Sequence, residues 1–96
     1  MKYKYEYGKE LEGILINISK DRKLLREFLQ DLLSPSEYKD LAVRWQIIRQ
    51  LDSKNSQRDI VKNLKVSIAT VTRGSRELLN KTGGFRLVLD KYYKRK

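Results

Sequence analysis

The sequence contains no cysteine and no histidine, and only one of its 96 residues is proline. Without Cys and His the chain cannot form a disulfide, the usual zinc sites, a Cys or Ser–His nucleophile, or an imidazole acid–base catalyst. Carboxylates and lysines are present, but they form no paired constellation along the sequence. We therefore expect neither an enzyme nor a metal site.

Long apolar runs are also missing from the sequence. No stretch approaches the roughly 18 consecutive apolar residues of a membrane span, and the opening "MKYKYEYGKE" lacks the apolar segment of a signal peptide. We expect no membrane insertion and a cytoplasmic location.

Acidic residues are scarce in the C-terminal half. The chain has 22 Lys plus Arg against 12 Asp plus Glu, a net charge of +10, and residues 54–96 hold twelve basic and three acidic groups. This surplus suits a polyanion such as double-stranded DNA, which we expect to contact the C-terminal half. Two alternatives stay open: an anionic membrane surface bound through the basic tail, and an architectural protein that coats DNA without sequence preference.

Helical spacing recurs along the chain, and strand-like alternation does not persist anywhere. Tyr3, Tyr7, Leu11, Ile14 and Ile18 step by four, four, three and four residues and line one face of a first helix. The next two helical segments, "DRKLLREFLQDLL" and "SPSEYKDLAVRWQIIRQL", carry wider apolar surfaces than one neighbouring helix needs. We predict one all-α domain over residues 1–96, with about six helices, that intertwines with a second copy as a homodimer.

Two short helices with a tight connector lie in the basic half, which predicts a helix-turn-helix over about residues 56–79. Ser56 and Ser67 are placed to cap them, and if Lys65 in the connector adopts a positive φ, the backbone strain there is about 1 kcal/mol. The following "NKTGG" is expected to end the second helix through a glycine. The apolar residues expected to hold the two helices together are Ile60, Val61, Leu64, Val66, Ile68 and Val71.

The segments "LLSPSEYKDLAVRWQIIRQL", "SQRDI" and "SIATVTRGS" together resemble the tryptophan repressor family over about residues 30–80. The resemblance implies six helices and a tightly interleaved dimer. It also implies repression of transcription at a near-palindromic operator when L-tryptophan, the corepressor, orders the recognition helices. A regulator of the same group that is constitutive, or that takes another ligand, is the alternative.

The resemblance also assigns ligand-binding residues. Arg44 and Arg73 match the two arginines that enclose the indole ring, and guanidinium planes do stack on aromatic faces. Gly74 matches the glycine beside the ligand, where a missing side chain lets the ring approach the backbone. Leu33 and Ser34 match positions whose carbonyls face the ammonium group across the dimer.

Two acidic residues depart from the family pattern near this pocket. Asp31 replaces an apolar residue, and Glu77 replaces a small polar one. Glu77 either accepts a proton from the ligand or pairs with Arg44 or Arg73 and closes the pocket.

For DNA, the resemblance implies contacts from both helices of the helix-turn-helix. Backbone amides at a helix N-terminus suit a phosphate, and small side chains allow close entry into the major groove. Arg76 and Thr70 are further candidates from their polar character on the second helix. The predicted DNA-binding residues are Gln57, Arg58, Lys62, Ile68, Ala69, Thr70, Thr72 and Arg76.

Overall fold

The computed structural model describes residues 4–93, so Tyr3 of the first helical face lies outside the described residues. This part of the chain forms six helices and no strand, which confirms the predicted all-α fold. The helices are α1 (Tyr5–Ile18), α2 (Arg22–Leu32), α3 (Pro35–Asp52), α4 (Gln57–Leu64), α5 (Ile68–Leu78) and α6 (Gly84–Tyr92). None of these helices is long and apolar enough to cross a membrane.

Polar side chains cap the helices at starts that were predicted from the sequence. Ser56 Oγ accepts a hydrogen bond from the Asp59 N–H, and Ser67 Oγ accepts one from the Thr70 N–H, each at 3.1 Å. Before α3, the Ser34 N–H donates to Glu37 Oε1 at 2.8 Å and the Glu37 N–H donates to Ser34 Oγ at 3.1 Å. This capping box lowers the pKa of Glu37, first through the Ser34 backbone N–H and then through its hydroxyl.

The expected glycine end of α5 is wrong. Helix α5 ends at Leu78 without any residue of positive φ, and Gly83 and Gly84 instead begin α6. Between the two helices, Asn80 Oδ1 accepts hydrogen bonds from the N–H of Thr82 at 3.2 Å and from its hydroxyl at 3.1 Å. The short Asn side chain therefore stabilises this turn, and no left-handed glycine is needed.

The chain divides into two compact units, an N-terminal unit that ends at Tyr38 and a C-terminal unit that begins at Lys39. In the N-terminal unit, neither α1 nor α2 contains a buried residue. A groove of about 730 Å³ lies in this unit, lined by Tyr7, Glu10, Leu11, Gly13, Ile14, Asn17 and Phe28. Its apolar side chains do not form a closed core within one chain.

The C-terminal unit has a closed core. Ile47 of α3, Ile60 of α4 and Val71 of α5 are buried against one another, and Ile48 and Leu89 are buried as well. Partly buried residues complete the cluster: Val43, Leu51, Val61, Leu64 and Val66. The expectation that Ile68 belongs to this core is wrong, because 55% of its surface is exposed.

Candidate functional site

Helices α4 and α5, joined by a tight turn, occupy the segment that the sequence predicts as a helix-turn-helix. Lys65, which ends α4, adopts φ 55° and ψ 48°, the left-handed conformation that the tight connector requires. Val66 and Ser67 complete the connection, and Ile60 and Val71 join the two helices beneath it. The left-handed turn at Lys65 and the buried contact between Ile60 and Val71 therefore contribute to the geometry of the pair.

Most of the candidate DNA-binding side chains lie on the exposed surface of this motif. Arg58 and Lys62 of α4 and Arg76 of α5 are exposed. The ion pairs found within residues 4–93 are both made by Arg86, so none of these three cations is engaged by a carboxylate there. Exposed residues also surround the start of α5: Ile68, Ala69 and Thr70. The N-terminal turn of α5 and the three cations give this surface a positive charge.

Two further candidates, Gln57 and Thr72, are half-buried and bonded to each other. The Thr72 hydroxyl donates to Gln57 Oε1 at 3.0 Å, which joins the middle of α5 to the first residue of α4. The sequence alone did not indicate this contact, since fifteen positions separate the two residues. Both side chains therefore take part in holding the two helices together.

A cavity of about 430 Å³ lies between α3 and α5, within the size range of small-molecule sites, about 300–1,000 Å³. It brings together four residues that the family resemblance assigned to the ligand: Arg44, Arg73, Gly74 and Glu77. Thr70, a candidate for DNA contact, lines it as well. The remaining lining is apolar and was not identified from the sequence: Ile47, Ile48 and Phe85.

Gly74 allows α5 to approach α3 closely. A Cβ atom built on Gly74 would lie 3.1 Å from Cγ2 of Ile47 and 3.4 Å from Cδ1 of Ile48. Both isoleucines are buried and also line the cavity. The missing side chain therefore makes room for Ile47 and Ile48, and it also leaves the cavity open at Gly74.

The charged side chains of the cavity are not paired with one another. Neither Arg44 nor Arg73 makes an ion pair with Glu77 in the described part of the chain. All three side chains are exposed, so their charges face the cavity and solvent. The alternative in which Glu77 closes the pocket by pairing with an arginine is not the arrangement observed.

Helix α6 supplies Phe85 to the cavity and is tied to α3 by two kinds of contact. The Phe85 ring packs against Trp45 of α3, with the ring centroids 6.1 Å apart. Arg86 of α6 pairs with Asp52 of α3 at 2.7 Å and with Asp90 of its own helix at 3.1 Å. The hydrogen bond to Asp52 raises the pKa of Arg86 above its usual value.

A second cavity of about 280 Å³ shares Arg44, Ile47 and Thr70 with the first. It is lined in addition by Asp40, Val43, Val66 and Ser67. Its carboxylate, on Asp40, is one helical turn from Arg44 on α3. The two cavities thus share Arg44 and differ in their acidic residue, Glu77 in the first and Asp40 in the second.

Leu33 and Ser34 belong to the N-terminal unit and are not among the residues that line either of these cavities. The Ser34 carbonyl accepts the Tyr38 N–H at 2.9 Å, an ordinary bond of the first turn of α3. Its second lone pair is free in that arrangement to accept another donor. The assignment of these two residues to a ligand across a dimer stays a prediction.

Comparison with known proteins gives one family. Residues 11–93 match the family model described as Trp repressor protein. A Trp operon repressor homolog of Chlamydia trachomatis serovar D is 37% identical over 92 residues, which cover 95% of this chain and 98% of that protein.

Two shorter matches agree with it. A Trp operon repressor homolog of Actinobacillus succinogenes is 50% identical over 54 residues, 55% of this chain and 54% of that protein, so the match spans about half of that relative. One of Haemophilus influenzae is 42% identical over 62 residues, 64% of this chain and 61% of the relative. No solved structure matches the chain.

Proposed function

The chain belongs to the Trp repressor family of transcriptional regulators, which bind DNA and are not enzymes, and on that basis we propose a tryptophan-dependent repressor. In this proposal two copies form a homodimer that binds a near-palindromic operator when L-tryptophan occupies the cavity between α3 and α5. Because a repressor acts on chromosomal DNA, the proposed compartment is the cytoplasm.

The observation that carries the proposal is that helix α5 contributes both to the cavity and to the exposed surface proposed for DNA. Helix α5 lines the cavity through Thr70, Arg73 and Gly74, and it exposes Ile68 and Ala69 at its start. A ligand in the cavity would contact the recognition helix itself, and so would change how firmly that helix is held. Ligand binding can then be coupled to DNA affinity without a long path between the two sites.

The cavity lining fits the chemistry of tryptophan. Ile47, Ile48 and Phe85 offer an apolar surface to an indole ring, and Arg44 and Arg73 offer guanidinium groups for stacking and for a carboxylate. In the proposed dimer, Leu33 and Ser34 of the partner subunit supply backbone carbonyls to the ammonium group.

The proposed DNA contacts divide into two kinds. Arg58, Lys62 and Arg76 are exposed cations suited to phosphates, which position a protein on any DNA. Ile68 and Ala69 lie at the start of the recognition helix and suit the major groove, where sequence is read. Gln57 and Thr72 contribute by fixing the angle between α4 and α5, since each already bonds the other.

The proposed homodimer rests on the N-terminal unit. Helices α1 and α2 expose several large apolar side chains that one chain leaves uncovered: Leu11, Ile14, Leu24 and Leu32. A second copy would bury them and place two recognition helices about 34 Å apart, the spacing of successive major grooves.

The test is selection of binding sites from random duplex DNA by the full chain, with and without millimolar L-tryptophan. We expect a near-palindromic site to be enriched only when tryptophan is present. Enrichment that does not depend on tryptophan would leave a repressor that is constitutive or takes another ligand. Binding without any preferred sequence, with a steep salt dependence, would favour an architectural DNA-binding protein instead.

Two matched variants test whether the phosphate contact lies on α4. Arg58→Ala should weaken binding to operator and random DNA alike and reduce the slope of log affinity against log salt by about one. Lys23→Ala removes an exposed cation from the N-terminal unit and should change neither quantity. Equal effects of the two variants would contradict the assignment of the DNA surface to α4 and α5.

A further inference from the structure

Glu77 is the acidic member of the cavity lining between α3 and α5, and its presence beside two arginines needs a reason. The other charged residues that line this cavity are Arg44 and Arg73. No ion pair joins Glu77 to either of them in the described part of the chain. Its carboxylate is therefore available to a bound molecule.

The position of Glu77 on α5 sets what it can reach. It follows Arg73 by four residues, so the two side chains lie on the same face of the helix, one turn or about 6 Å apart along the axis. The guanidinium of Arg73 and the carboxylate of Glu77 thus form adjacent subsites of opposite charge. An α-amino acid carries its carboxylate and its ammonium on the same carbon atom. Such a ligand can contact both subsites at once, with its carboxylate at the guanidinium and its ammonium at the carboxylate.

Electrostatics favours the ammonium group over a neutral donor at the Glu77 subsite. A ligand ammonium beside Arg44 and Arg73 alone would be repelled by both guanidinium groups, whereas a nearby carboxylate offsets that repulsion. A hydrogen bond between an ammonium and a carboxylate is also about twice as strong as one between neutral groups. The ring N–H of an indole is neutral, and it can bond to water instead, because the charged side chains of the cavity are exposed to solvent.

We propose that Glu77 binds the ammonium group of the ligand and thereby selects an α-amino acid over the corresponding deaminated acid. The inference rests on the proposed function, because it takes the cavity as the ligand site. It adds a residue that determines ligand specificity and that belongs to the same subunit as Arg44 and Arg73.

The test compares the affinities of L-tryptophan and indole-3-propionate by calorimetry, using the full chain and the variant Glu77→Gln. The two ligands differ by the ammonium group. We expect the unaltered chain to prefer tryptophan by at least 10-fold, and Glu77→Gln to lower that preference about 10-fold, the usual effect of a hydrogen bond between charged groups. The loss should come from weaker tryptophan binding, with indole-3-propionate unchanged or tighter.

Asp40→Asn is the matched control, because it removes the same charge from the second cavity, which also contains Arg44, while Asp40 does not line the first. It should leave the preference within about 2-fold of the unaltered chain. The melting temperature of each variant without ligand checks that the exposed positions were changed without loss of the fold.

A third ligand tests the ring donor. In benzothienylalanine a sulfur replaces the ring N–H and the ammonium is kept, so Glu77→Gln should weaken it as much as it weakens tryptophan. If Glu77→Gln weakens tryptophan and spares benzothienylalanine, Glu77 binds the ring N–H and the proposal is wrong.

The remaining outcomes separate this inference from the proposed function. If tryptophan binds and regulates DNA affinity but its preference over indole-3-propionate survives Glu77→Gln, the inference fails and the proposed function stands. If the unaltered chain binds neither ligand, the tryptophan assignment fails and the inference fails with it.

Discussion

The two units of this chain differ in how they bury apolar surface. In the C-terminal unit, Ile47, Ile60 and Val71 form a closed core under the helix-turn-helix. In the N-terminal unit, α1 and α2 bury no residue completely, and their side-chain hydrogen bonds in residues 4–38 are all between near neighbours in sequence. One unit buries a core through its own contacts, whereas the other leaves its apolar side chains partly exposed.

The largest expected effect comes from the core of the C-terminal unit. Ile60 is 0% exposed, so Ile60→Ala should lower the free energy of unfolding by about 2–5 kcal/mol through lost burial and the cavity left behind. Urea unfolding measures this. The matched change Ile16→Ala, at a residue 71% exposed in one chain, should cost well under half as much. Equal costs would remove the contrast between the two units.

The next effect concerns association. Ile14 lines the apolar groove of the N-terminal unit, and Ile14→Glu should weaken the proposed dimer at least about 10-fold by placing a charge where apolar surface is to be covered. Sedimentation equilibrium over a range of concentrations measures the dissociation constant. Leu79→Glu introduces the same charge in the C-terminal unit, where Leu79 is 76% exposed, and should leave the constant nearly unchanged. A dimer that tolerates Ile14→Glu would have its interface elsewhere.

A smaller effect concerns the polar contact between α4 and α5. Thr72→Val and Gln57→Met each remove one partner of the 3.0 Å hydrogen bond, and we expect a coupling energy of about 0.5–1.5 kcal/mol from unfolding of the two single variants and the double variant. Additive effects of the two changes would show that apolar packing alone sets the geometry of the helix-turn-helix.

The smallest effect is a pH dependence at the capping box of α3, in the N-terminal unit. Because hydrogen bonds from Ser34 lower the pKa of Glu37, the unfolded state takes up this proton first as the pH falls. The stabilisation is complete above the ordinary pKa of a glutamate and disappears as the pH falls through the lowered value. Glu37→Gln, which can keep the capping geometry, should flatten this part of the stability curve between pH 7 and pH 3. An unchanged curve would contradict the assignment to Glu37.

Local signals in the sequence were enough for the starts of α3, α4 and α5 and for the turn between α4 and α5. Ser34, Ser56 and Ser67 each cap a helix through a residue three positions away, and such contacts depend on spacing alone. The end of α5 was mispredicted because Asn80 and glycine can serve the same turn, and spacing does not say which one does.

Contacts between distant residues were not predictable in the same way. The Thr72–Gln57 bond, the Phe85 wall of the cavity and the approach of Gly74 to Ile47 depend on how helices pack. The family resemblance identified Arg44, Arg73, Gly74 and Glu77, but it did not say that the Gly74 position serves helix packing.

Lys65 has a consequence for the unfolded chain. A glycine would adopt the left-handed turn without strain, but it would lose more backbone freedom on folding, a difference of about 0.4–1 kcal/mol. The strain of a lysine in that conformation is larger, at least about 1 kcal/mol. The entropy of the unfolded chain offsets only part of this strain, so the turn carries a positive charge beside the proposed DNA surface at a small net cost in stability.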